Sequence, residues 1–365
     1  MKLGDITLIL EQLAPLSLQE SYDNAGLLIG NRDDEISGAL ICLDVTEAVL
    51  DEAIQKGLNL IIAHHPLIFK PLKRITASNA TERIVMKSIQ ERIAIYAIHT
   101  NLDSVLNGVS ACLAGKLGLV STSILAPRKG ILRKLVTFCP LSHAENVRQA
   151  ICNAGAGQIG NYDNCSFSVA GKGTFRGLEN ANPFVGKLNS LHTEEELRIE
   201  VIYPVYHESN VIAALRQTHP YEEVAFDIYS IENEYKDAGF GIIGELPQAV
   251  GEEDFLRFVK TVTASVCLRH TAFTGRMVKR VALCGGSGSF LLKEALAASA
   301  DVFVTGDIKY HEFFEAENRM IIADIGHFES EQFVLELLHA ELIEKFPNFA
   351  NFISGVNTNP IHCLS

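Results

Sequence analysis

Three short segments bring together side chains that can ligate a divalent metal. The first is Ile61-Ile62-Ala63-His64-His65-Pro66, two imidazoles directly after an apolar run. The second, Ile98-His99-Thr100-Asn101-Leu102-Asp103, sets a carboxylate just beyond another such run. The third is Ala323-Asp324-Ile325-Gly326-His327-Phe328-Glu329-Ser330-Glu331. His327 and Glu331 stand four residues apart, so a helical turn puts both on one face, able to converge on one ion. His64 and His65 are neighbours, and neighbours in a regular strand point to opposite faces; they can share a site only where the strand ends and turns. Pro66 biases the residue before it away from helix. Each segment also has a plain structural reading: a packed histidine, an Asp that caps a helix or turn, a solvated helical ion pair. As a set, however, His64, His65, Asp103, His327 and Glu331 supply three imidazoles and two carboxylates, a donor mix suited to Zn, Mn, Fe or Co. Five ligands exceed one closed tetrahedral site and imply two ions with a shared carboxylate and a bridging water. Two ions ~3.5–4 Å apart make hydroxide available at neutral pH and polarise the atom it attacks.

Two further features belong to the same chemistry. His99 and His311 are candidates to carry protons, although a histidine packed in a core or on a helix reads equally well as structural. Cys284-Gly285-Gly286-Ser287-Gly288-Ser289-Phe290 lies between a strand pattern and a helix pattern. Gly285, Gly286, Ser287 and Gly288 could cradle a phosphate on free amides, or simply make a tight turn with a Ser cap; no Lys follows, so this is not a Walker loop.

The elements that must position these residues alternate strand and helix. Residues 39–45, 46–56 and 58–63 read as strand, helix and strand, followed by a helix over 81–93, a strand over 94–99 and a helix over 108–117. The rhythm returns late: strands over 280–284, 302–305 and 320–325, helices over 290–298, 308–317 and 330–345. Between the two lobes the order is β-α-β-β-α-β: strand 134–139, helix 144–153, strands within 165–177 and 196–203, helix 209–217 and strand 224–230. That is the ferredoxin-like arrangement. Segments 121–130, with Pro127 and Gly130, and 233–244, rich in Gly, Asn and Asp, read as loops at its edges. The expected fold is α/β, two lobes (1–129 and 236–365) forming one metal-binding unit around an inserted α+β domain (130–235).

Composition narrows the function classes. The chain has 365 residues and a formal net charge of −13, with no basic run, so no nucleic-acid partner is expected. No apolar stretch approaches the ~18 residues of a membrane span, and Met1-Lys2-Leu3-Gly4-Asp5 does not open a secretory leader, which points to the cytoplasm. Eight cysteines include no Cys-x-x-Cys pair. Neither a disulfide framework nor a thiolate zinc knuckle is supported, so a metal here must use His and carboxylates.

These residues resemble a known family, the Ngg-interacting-factor-three-like dinuclear-metal proteins, also called type 2 homologues of GTP cyclohydrolase I. The resemblance is carried by Tyr22-Asp23-Asn24-Ala25-Gly26-Leu27, Leu43-Asp44-Val45-Thr46, His64-His65-Pro66, His99-Thr100-Asn101-Leu102-Asp103, Gly285-Gly286-Ser287-Gly288-Ser289, Thr305-Gly306-Asp307 and Gly326-His327 with Glu331. It implies metal-ligand roles for His64, His65, Asp103, His327 and Glu331, with Glu331 bridging two ions. Tyr22 stands where many relatives have Trp. The insert resembles PII signalling proteins and CutA-type trimers, with His219-Pro220-Tyr221-Glu222-Glu223 near its last strand. The resemblance further implies a toroidal homohexamer whose sites face an internal cavity. The activity it implies is metal-dependent hydrolysis of a purine nucleotide, GTP ring opening by name. A nucleotide phosphodiesterase or phosphatase would use the same ligands, and a non-catalytic metal-binding regulatory ring is the reading from another class.

Overall fold

In the computed structural model, which describes residues 1–364, the chain forms two compact units. One combines Met1–Pro127 with the chain from Asp237 onward; the other is Arg128–Lys236.

The first unit contains two sheets. Strands Gly26–Ile29, Ala94–Ala97, Leu60–Ala63, Gly38–Cys42 and Ala350–Ile353 lie in that spatial order. All neighbours are parallel except the first pair. The central strands are apolar at every position because both faces are covered. Leu40, Ile61 and Ile95 pack with Val49, Leu50 and Ala53 of helix Glu47–Gln55. Ile41, Ile62 and Tyr96, on the other face, pack with helices Leu3–Leu13 and Val334–Lys345. Thr46 caps helix Glu47–Gln55 by accepting from the Val49 amide at 3.2 Å, and Gly57 follows it at φ 67°.

The second sheet runs Arg269–His270, Ile321–Asp324, Val302–Gly306, Met277–Ser287, Tyr235–Gly251 and Val120–Arg128. Its three parallel strands, Met277–Ser287, Val302–Gly306 and Ile321–Asp324, are covered by helices Val109–Lys116 and Glu252–Val262 on one face and by Leu292–Ala297 on the other.

Three sequence expectations need correction. Segments 121–130 and 233–244 are not loops but lie largely in strands Val120–Arg128 and Tyr235–Gly251. Their glycines mark close strand approach: a Cβ on Gly239 would sit 2.2 Å from the Ala126 carbonyl oxygen. Residues 308–317 hold a short 3-10 turn, Glu312–Ala316, in place of an α-helix. The helix expected over 330–345 is two helices, His327–Glu331 and Val334–Lys345, the first beginning earlier.

The Arg128–Lys236 unit has the element order read from the sequence. Its antiparallel sheet runs Ser166–Phe175, His192–Pro204, Leu132–Pro140 and Phe226–Ser230. Helices Ala144–Asn153 and Glu208–Thr218 bury Val147, Ile151, Val211 and Leu215 against Leu135, Cys139, Ile199, Val201 and Tyr203. Among the described residues no helix is long and apolar enough to cross a membrane.

Candidate metal centre

The ligand-bearing segments emerge from carboxyl ends of parallel strands, where open α/β sheets place their sites. Past strand Leu60–Ala63 the backbone stays pinned: the amides of His64 and His65 donate to the carbonyls of Cys42 and Leu43 at 3.0 and 2.9 Å. The chain turns there, and the two rings come to 4.9 Å with their planes at 48°. Strand Ala94–Ala97 leads to His99 and the one-turn helix Thr100–Asp103, which ends in Asp103. From the second sheet, strand Ile321–Asp324 leads through Gly326, at φ 99°, into helix His327–Glu331.

Every imidazole is oriented by a hydrogen bond at Nδ1. His64 donates to the Ile98 carbonyl at 2.8 Å, His65 to Asp44 at 2.8 Å, His99 to Asp23 at 2.8 Å and His327 to Asp307 at 2.7 Å. A neutral ring held in this tautomer presents its Nε2 lone pair to whatever lies opposite, the usual arrangement behind a metal-bound histidine. Nε2 of His65 and His327 lie 3.3 Å apart, and 3.0 and 3.1 Å from Glu331 Oε2. Nε2 of the fully buried His64 lies 3.7 Å from Asp103 Oδ1 and 3.8 Å from Glu331 Oε1. Three groups of donors therefore gather closely enough to hold an ion: His65, His327 and Glu331; His64, Asp103 and Glu331; and His64, His65 and His99.

The donor set fits a metal on a more specific ground. His64 Nε2, Asp103 Oδ1 and Glu331 Oε2 are buried with no hydrogen-bond partner, the last with imidazole nitrogens of His65 and His327 at 3.0 and 3.1 Å. Such an orphaned polar atom costs ~1–3 kcal/mol, and cations held by the His64, Asp103 and Glu331 group and by the His65, His327 and Glu331 group would supply the missing partners. The electrostatics agree. Burial pushes the His64 pKa down and, with the Glu331 charge, holds Asp103 well above the usual carboxylate range. Burial opposes charge on His65 and His327 too, but Asp44 and Glu331 carry the first up to about 9, and Asp307 and Glu331 carry the second up to about 11. A cation would replace those protons.

The glycine segment has a different task from the one considered in the sequence. The amides of Gly285, Gly286 and Gly288 donate to Ser110, Ser330 and Thr305 at 3.2, 2.8 and 3.0 Å, so none points at a phosphate. Ser287 is the last residue of its strand. Gly286, at φ 64°, leaves space for Glu331: a Cβ there would meet Oε1 at 2.3 Å. His311 is exposed, stands beside Tyr310 at 5.1 Å, and joins none of the three ligand groups. His99 does sit at the centre, its ring 5.4 Å from those of His64 and His65. Asp44 and Asp307 were not read as partners of the ligands from sequence, although both lay in quoted motifs. Their signal is a carboxylate at the end of an adjoining strand.

Comparison with known proteins gives a consistent picture. The model of the family described as Duf34/NIF3 (NGG1p interacting factor 3) matches residues 1–360. A Halalkalibacterium halodurans protein named "GTP cyclohydrolase 1 type 2 homolog" is 41% identical, covering 96% of each chain. A Bacillus subtilis protein of the same name is 38% identical over 98% of this chain and 97% of its own. The crystal structure of a Bacillus cereus protein related to NIF3 superposes with a TM-score of 0.86 at 40% identity, covering 100% of this chain and 99% of that one.

Proposed function

Because the chain belongs to the Duf34/NIF3 family, we propose that it is a dinuclear-metal hydrolase acting on a purine nucleotide. The observation that carries this reading is the pair of ligand trios that share Glu331, one completed by His65 and His327, the other by His64 and Asp103. Glu331 Oε1 faces the second trio and Oε2 the first, so this carboxylate would be shared between two ions held there. Zn, Mn, Fe and Co all suit these donors. Bound there, a pair of divalent ions supplies Lewis acidity that acidifies water and polarises the atom it attacks.

The chain's own residues do the rest. Asp44 and Asp307 keep the Nδ1 protons of His65 and His327 in place, so each ring offers Nε2 to the site. His99 is the proton carrier: Asp23 fixes its Nδ1 and its ring lies 5.4 Å from the rings of His64 and His65. Burial raises the Asp23 pKa, but hydrogen bonds from His99 and Thr100 outweigh it and hold the carboxyl at about 2, so Asp23 stays charged and can stabilise an imidazolium at His99. The protein is cytoplasmic in this reading and its subunits assemble as a toroidal homohexamer, whose six-subunit mass sedimentation tests directly.

The test of function is incubation of metal-replete protein with GTP, with products identified by mass and Glu331→Gln as the control. Formate with a ring-opened or rearranged triphosphate establishes purine-ring hydrolysis. Released phosphate with an intact guanine replaces it by phosphoester hydrolysis. GTP left untouched by fully loaded protein removes this substrate and favours a metal ring without turnover.

A further inference from the structure

The His219-Pro220-Tyr221-Glu222-Glu223 motif has no part in the metal centre, and its Tyr221, Glu222 and Glu223 line a cavity of about 730 Å³ within the Arg128–Lys236 unit. That is the size of a small-molecule site. The pocket lies on the sheet face turned away from the helices. On strand His192–Pro204 the odd positions Ile199, Val201 and Tyr203 enter the helix-covered core, and Glu196 and Arg198 point the other way into the pocket. Phe138, Phe175, Phe184 and Tyr221 wall it.

Its one buried polar feature is Glu196, 8% exposed. Tyr221 donates its hydroxyl to Glu196 Oε1 at 2.8 Å, and burial with this contact raises the phenol's pKa, so it remains a donor. Oε2 receives no such bond and lies over Gly173, where a Cβ would come to 2.1 Å. The motif is built to hold this arrangement. His219 donates from Nε2 to the Phe138 carbonyl at 3.0 Å and accepts the Tyr221 amide at Nδ1 at 3.1 Å, which fixes the turn that aims Tyr221. Glu222 accepts the Asn182 amide at 2.7 Å, drawing the 176–191 segment over the pocket so that Phe184 stands 6.4 Å from the Tyr221 ring.

A carboxylate is an acceptor with two oxygens, and flat aromatic walls favour a flat ring between them. Its ideal partner is therefore planar and carries two adjacent N–H donors. We propose that this pocket binds a flat heteroaromatic ligand that presents a ring N–H beside an exocyclic amino group, the edge carried by guanine, with Glu196 as the pairing carboxylate. Lys172, Arg176 and Arg198 line the same pocket together with Glu222 and Glu223, so its wall carries charge of both signs.

The experiment is calorimetric titration of the full-length, metal-loaded protein with guanosine, with inosine and agmatine as comparisons. Inosine lacks the amino group; agmatine carries the paired donors without the ring. Guanosine binds, and inosine and agmatine bind about tenfold or more weakly, as expected when a buried acceptor is left unpaired or the walls uncovered. Glu196→Gln keeps an acceptor for Tyr221 but turns Oε2 into a donor, and it weakens guanosine by a similar factor. Glu331→Gln, which strips the metal centre, leaves guanosine binding in place and so separates this site from that one. No guanosine binding, equal binding of inosine, preference for agmatine, or an unaffected Glu196→Gln overturns the proposal. So does Phe184→Asp dissociating an oligomer in sedimentation with guanosine binding unchanged, which would make this face a contact between copies of the chain.

Discussion

The metal centre and the insert pocket are opposite solutions to burying carboxylates. At the centre two carboxylates meet three imidazoles, and three polar atoms are left without a hydrogen bond. The fold does not satisfy them by itself. In the pocket the one buried carboxylate, Glu196, already holds Tyr221, and apolar and aromatic surface makes up much of the wall. That site is nearly self-sufficient. The difference shows what each asks of a ligand: the first needs positive charge to hold its donors together, and the second needs only a shape and a pair of donors. It also predicts where rigidity resides. All the histidines of the centre are fixed from behind at Nδ1, so its geometry exists before any ion arrives.

The sharpest way to break this comparison is Glu331→Gln. The neutral amide removes the charge facing His64, His65 and His327, and bound metal measured by mass spectrometry of the digested protein should fall to a small fraction of the wild-type content. Unchanged metal in a folded variant would remove Glu331 from the ligand set. Next in size is Asp307→Asn, which leaves all five donors in place and disturbs only the partner of His327 Nδ1. Loss of such a partner costs ~10–100-fold in metal affinity, readable by chelator competition. Affinity equal to wild type would mean that the Asp307 contact does no orienting.

A smaller effect concerns the third carboxylate–histidine pair. Asp23 titrates at about 2 in the folded chain, below the ~3.9 of an unfolded Asp. Its contribution to stability is therefore present above ~3.9 and is lost as pH falls through about 2. Asp23→Asn should lower the melting temperature at pH 7, and the gap to wild type should close as both are acidified. A gap that persists at the acid end would place the effect in packing rather than in the charge.

Much of this was legible in the sequence because the relevant signals are local. Strand runs such as Leu60–Ala63 are apolar at every position, and the ligands follow them directly, so the α/β class and the residues that converge could both be read. What was not legible depends on distant partners. Segments 121–130 and 233–244 looked like loops because Gly239, Gly241 and Gly244 resemble turn glycines until the neighbouring strand is in view. Gly285 and Gly286 looked like a phosphate loop because nothing in their own neighbourhood announces Glu331, more than forty residues away. A 3-10 turn at Glu312–Ala316 stands where a helix over 308–317 is expected, and His311 beside it joins none of the ligand groups. Helices Leu3–Leu13 and Glu252–Val262 lay outside the strand-led rhythm and were not anticipated.

The least disruptive change, and the cleanest separation of the two regions, is removal of the insert itself. His64, His65, Asp103, His327 and Glu331 all lie in the Met1–Pro127 and Asp237-onward unit, which has its own cores. The insert leaves and re-enters through strands Val120–Arg128 and Tyr235–Gly251, which are neighbours in one sheet, so a short Gly/Ser bridge can join residues 127 and 237 without threading the chain. Metal content and affinity of the bridged protein should match those of the full chain, and the pocket around Glu196 disappears with the insert. Loss of metal in a deletion protein that still melts cooperatively would show that the insert contributes to the centre after all. Retained metal would show that the centre's geometry depends only on the two sheets whose strand ends carry it.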